Sequence, residues 1–66
     1  MKTMWNGQKN VQVPPKVAEF LEDYRRICER HGLALSHEDY QGAFMIERFS
    51  PDLIEWAESA TLGNIE

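Results

Sequence analysis

A single cysteine, Cys28, stands in a chain of 66 residues. One thiol cannot cross-link the chain to itself, and no cysteine and histidine spacing of the zinc-binding kind is present. That usage fits a reducing cytoplasm. The four glycines, Gly7, Gly32, Gly42 and Gly63, are isolated from one another, which excludes a phosphate-cradling loop. No stretch approaches the ~20 apolar residues needed to cross a bilayer. The opening MKTMWNGQKN carries no apolar core of the signal-peptide kind. The expected location is the cytoplasm in which the protein is made. Positive charge is scarce as well: seven Lys and Arg against eleven Asp and Glu leave a net charge of −4. Binding to a phosphate backbone needs a positive field, so direct nucleic-acid binding is not expected. The acidic balance favours solubility or a basic protein partner.

What is present is a folding composition, 42% hydrophobic and 27% charged. The length allows one domain. Chains this small bury only about 60% of their unfolded surface, so the core is thin and self-association, with a dimer as the expected state, is a natural way to add burial. Pro14-Pro15 suits a helix start, because the missing proline N–H has no helical partner there. From there Val17, Phe20, Leu21, Tyr24, Ile27 and Cys28 recur as one helical stripe, read as the buried face. Glu22 can pair with Arg25 or Arg26 across a turn. Arg30 and His31 suit the negative helix end, and Gly32 can take the left-handed cap position. After Gly32 the period becomes two, and the runs LALS and AFMIERF around Gly42 read as a β-hairpin. Its helix-covered face is expected to carry Leu33, Leu35, Phe44 and Ile46, leaving Ala43, Met45 and Phe49 outward. Ser50, Pro51 and Asp52 open a second helix as cap, first position and dipole partner, with Leu53, Trp56, Ala57 and Ala60 on one side. The reading is an α+β fold: a single domain of helix, hairpin and helix over residues 14–62, preceded at 1–13 by an arm or short strand. Asn6-Gly7 marks a turn in that arm.

The stretch SHEDYQGAFMIE, Ser36 to Glu47, concentrates the polar chemistry. His37, Glu38 and Asp39 are adjacent, and adjacent strand residues point to opposite faces, so they converge only if the chain turns. Structural metal sites draw three or four ligands from separate rigid elements; the other soft ligands are His31 and Cys28, and Cys28 lies on the buried stripe. Solvation of the loop, with a turn hydrogen bond from Asp39, is the simpler reading. Cys28 and His31 share the spacing of a nucleophile–base pair, but no orienting group or oxyanion donor accompanies them. No catalytic residue, metal ligand or cofactor is therefore expected. Trp5 and Tyr40 fall outside the core pattern, and exposed Trp and Tyr are enriched at binding hot spots.

Ser36, His37, Glu38, Asp39, Gly42, Ala43, Phe44, Ile46 and Glu47, followed by Glu55, Trp56 and Ala60 and preceded by a helix ending in a basic His-Gly turn, resemble a group of short phage and prophage proteins of unassigned function. The resemblance implies a viral accessory protein and brings no catalytic residue with it. Small phage proteins of this kind commonly bind a host factor, often a defence component, which is an inference from class. The expected function is a non-catalytic binding module that inhibits or modulates a host protein, with Trp5, His37, Glu38, Asp39, Tyr40 and Gln41 as contact residues. One alternative is an oligomeric binder that sequesters a small nucleotide signal through Arg25, Arg26, Arg30 and Arg48. Another is an acidic DNA mimic, which the interleaving of acids and bases on the first helix disfavours.

Overall fold

The longest element begins at the Pro14-Pro15 pair. In the computed structural model, which describes residues 2–65, Pro14 caps helix α1 (Pro15–His31) and Pro15 occupies its first position. Gly32 ends the helix at φ 70°, and its N–H donates to the Cys28 carbonyl at 2.8 Å. That left-handed backbone favours glycine. The segment before α1 is a hairpin of strands β1 (Thr3–Trp5) and β2 (Asn10–Gln12), turning through Asn6 and Gly7. The Asn6 side chain holds that turn by accepting from the Gln8 and Lys9 N–H groups. After α1 the chain forms a second antiparallel hairpin of β3 (Leu33–His37) and β4 (Phe44–Arg48) and closes with helix α2 (Pro51–Glu58). Ser50 caps α2, its hydroxyl accepting from the Asp52 N–H at 3.3 Å. The architecture of the described residues is a mixed α+β fold of two helices and two separate two-stranded sheets.

The core is smaller than the hydrophobic pattern implies. Cys28, Ala34 and Ile54 form it, with Tyr24, Phe49 and Leu53 packed partly against it. Met4 is buried apart from this cluster. The stripe of α1 that turns inward is Val17, Leu21, Tyr24 and Cys28. Phe20 and Ile27 lie beside it and stay 65% and 48% exposed, so the expected buried stripe is too wide. The reason is that α1 and α2 both pack on β3, and neither reaches β4. On α2 the fully buried residue is Ile54, at 1% exposure, which the expected Leu53–Trp56–Ala57–Ala60 face omits.

The second hairpin is turned over relative to expectation. Its register pairs Ala34 with Glu47 and Ser36 with Met45, and Leu33, Leu35 and His37 with Arg48, Ile46 and Phe44. Ala34 and Ser36 are the buried positions of β3. Small side chains let the helices approach the sheet closely, and the Ser36 hydroxyl donates to the Glu47 carboxylate on that side. Leu33, Leu35, Phe44 and Ile46, expected beneath the helices, instead form the outer face. Phe49, expected outside, packs against the core.

This leaves an open molecule. The accessible surface is 5577 Å², whereas a compact folded monomer of 7.7 kDa exposes about 4,300 Å². The radius of gyration is 12.6 Å, against about 10.8 Å for a compact domain of this length.

Candidate functional site

The turn between β3 and β4 is built by one side chain. The two carboxylate oxygens of Glu38 accept separately from the Tyr40 N–H, at 2.7 Å, and the Gln41 N–H, at 2.6 Å. The Glu38 backbone closes the same loop: its carbonyl accepts from Gly42 N–H and its own N–H donates to the Ala43 carbonyl. Gly42 sits at φ 76°, where an L side chain is strained. Asp39, assigned the turn hydrogen bond from sequence, makes none among the described residues; Glu38 has that role because its longer arm reaches over the turn to both N–H groups. The result is a pinned tip from which Tyr40 projects, 90% exposed, beside exposed Asp39 and Gln41.

His37 belongs to the strand rather than to the tip. Its ring meets the edge of Phe44 at a centroid distance of 5.7 Å and that of Trp56 at 6.5 Å. The sequence reading missed Trp56 as a neighbour of His37, because the contact joins α2 to the hairpin. Trp5, 47% exposed, ends the first strand, and its carbonyl accepts from the Leu62 N–H at 2.7 Å. Among the described residues it shares no hydrogen bond or ring contact with the tip. The structure thus gathers Glu38, Asp39, Tyr40 and Gln41 into one turn, places His37 at its base, and leaves Trp5 on a different hairpin.

The other chemistry weighed from sequence is differently arranged. Among the described residues no three His, Cys, Asp or Glu side chains converge to hold a metal ion. Cys28 is buried in the core. Arg25 pairs with Glu29 at 3.6 Å rather than with Glu22, and Arg26 pairs with Glu22 and Asp23. Arg30 lies against the His31 ring. No helix among the described residues is long and apolar enough to cross a membrane.

A second surface is the open hairpin face, which carries other residues than the expected Ala43, Met45 and Phe49. Leu33, Leu35, Phe44 and Ile46 are 48%, 43%, 76% and 73% exposed on the outer hairpin face. Where this face meets α1, Ile27, His31, Leu33, Leu35 and Ile46 line an open groove of about 200 Å³.

Comparison with family models, with curated proteins and with solved structures finds no match to this chain.

Proposed function

We propose that the protein is a non-catalytic binding module that inhibits or modulates a host protein, defence-related in the reading taken from its phage-like sequence, by direct contact through the hairpin tip. The observation that carries this reading is the pinned turn: Glu38 fixes the loop backbone while Tyr40 stands 90% exposed on it. Rigid presentation of a large aromatic ring lowers the ordering cost of binding, and Tyr anchors are enriched at hot spots. Asp39 and Gln41 flank the ring with polar side chains that stay exposed, which fits the polar rim of an interface. Trp5 offers a separate contact on the N-terminal hairpin.

The nucleotide-sequestering alternative draws less support, because Arg25 and Arg26 are engaged by acids of their own helix. The DNA-mimic alternative is weakened by the same pairing. The test is affinity capture from host lysate by the tagged protein and by its Tyr40→Ala variant in parallel, with mass spectrometry. A protein captured by the parent chain and lost with Tyr40→Ala supports the reading. Release of a nucleotide on heating the purified protein, with no Tyr40-dependent capture, replaces it with the sequestering function.

A further inference from the structure

We propose that the outer face of the β3–β4 hairpin is the interface of a two-fold dimer, in which each Phe44 ring enters the groove of the other copy between α1 and β3. Three observations point to a second copy of this chain as the occupant. First, area: Phe20, Ile27, Leu33, Leu35, Phe44 and Ile46 expose 43–76% of their surface, on the order of 600 Å² together, close to the ~800 Å² that each partner of a stable interface buries. The chain also exposes about 1,200 Å² more than a compact monomer of its mass would.

Second, the face buries no acid. It carries Leu33, Leu35, His37, Phe44, Ile46 and Arg48 and no carboxylate, since Glu47 faces the other side. Two copies can therefore meet across it without burying an acid, and the Arg48 at each margin can keep its charged end in water while its stem packs.

Third, the groove and the knob match in size and position. The groove holds about 200 Å³, and an apolar cavity of about 150 Å³ accepts a benzene ring. Phe44, the most exposed apolar ring of the face, lies at the tip end of the hairpin; the groove lies at the root end, beside His31 and Leu33. A two-fold axis running obliquely across the strands near Leu35 and Ile46 lays the tip end of one copy over the root end of the other and carries its β4 towards the partner's α1–β3 groove. Each Phe44 then meets a groove, as the reciprocity of a two-fold interface requires. The two Tyr40 tips point away from each other, so this interface is independent of the tip contact proposed above.

The test is sedimentation at micromolar concentration. The parent chain is expected to sediment at twice its chain mass. Phe44→Glu and Ile46→Lys are each expected to raise the dimer dissociation constant at least ~30-fold, the hot-spot threshold expressed as a ratio, while circular dichroism stays that of the folded chain. A monomer at every concentration overturns the proposal and leaves the face to a different protein. A dimer that survives both charge substitutions overturns the assigned face.

Discussion

The Tyr24 hydroxyl accepts a hydrogen bond from the Leu35 N–H at 2.9 Å, tying α1 to the outward edge of β3. The register places Leu35 among the positions whose backbone points away from β4. One phenol therefore does at this edge what a further strand does in a larger sheet. Burial pushes the Tyr24 hydroxyl above its ordinary titration range; the Leu35 N–H pulls it back in part, and Cys28 adds to the rise.

The first prediction follows from that rise. A pKa raised on folding means the folded chain holds the proton more tightly than the unfolded chain. The stability from this linkage is complete below about pH 10, the unfolded value, and is lost as pH rises through the higher folded value. Thermal melts should fall above about pH 10. Tyr24→Phe should cost about 1 kcal/mol at neutral pH, the usual worth of one hydrogen bond, and should flatten the alkaline decline. An unchanged alkaline slope in Tyr24→Phe would separate the decline from this residue.

The second prediction contrasts two apolar side chains. Ile54 is 1% exposed and central to the core, so Ile54→Ala should cost about 2–5 kcal/mol. A domain of this size has a total stability of only about 5 kcal/mol, so that variant should be largely unfolded. Phe20→Ala removes a larger side chain that is 65% exposed, and at monomeric concentrations it should change stability by no more than about 0.5 kcal/mol. Urea titration of both variants ranks them, and a larger loss at Phe20 would reverse the assignment of the inner face of α1.

That contrast shows where the sequence was legible. Pro15, Gly32 and Ser50 act through local backbone chemistry, so the ends of α1 and the start of α2 could be read directly. Gly42 and the alternating runs likewise announced the hairpin. Which hairpin face turns inward is a tertiary choice, and hydrophobicity pointed the wrong way. Ala34 and Ser36 are small, and Ser36 satisfies its hydroxyl through Glu47, so the less apolar face packs under the helices. Phe44 and Ile46 carry the stronger apolar signal and are left outside. Periodicity within one chain marks a face as apolar without saying whether a helix or a second molecule covers it. At the site, Tyr40 was legible as a residue outside the core pattern, whereas the bracing by Glu38 depends on a turn geometry that spacing alone does not specify.

The third prediction concerns that bracing. Glu38→Ala removes both side-chain bonds to the turn, a loss of about 1 kcal/mol if they act as ordinary exposed hydrogen bonds. Its larger effect should be on order: amide exchange at Tyr40 and Gln41 should speed up while exchange in α1 does not. Gly42→Val should cost more, because a β-branched residue must adopt φ 76°. The nearest atoms to an added Cβ there belong to the His37 ring at 3.8 Å, so the penalty comes from the backbone rather than from a clash. Gly42→Asn, which tolerates that backbone better, should recover part of the loss, and equal destabilisation by Val and Asn would point to crowding instead.

The fourth prediction is the one on which the proposed function turns. Tyr40 makes no side-chain hydrogen bond or ring contact among the described residues and is 90% exposed. Tyr40→Ala should therefore leave the melting temperature close to that of the parent chain, since exposed substitutions usually fall within about 0.5 kcal/mol. Against the captured host protein it should cost at least ~2 kcal/mol, roughly a 30-fold loss of affinity. Glu38→Ala should weaken binding by a smaller factor, because the ring remains but must be ordered on contact. Asp39→Asn and Gln41→Ala should have still smaller effects, as flanking polar groups do at an interface rim. Titration calorimetry on this series, with melts on the same samples, distinguishes an anchor from a bystander. Full affinity in Tyr40→Ala alongside lost affinity in Trp5→Ala would move the contact surface to the N-terminal hairpin, where Trp5 is held by Leu62 and no tip residue takes part.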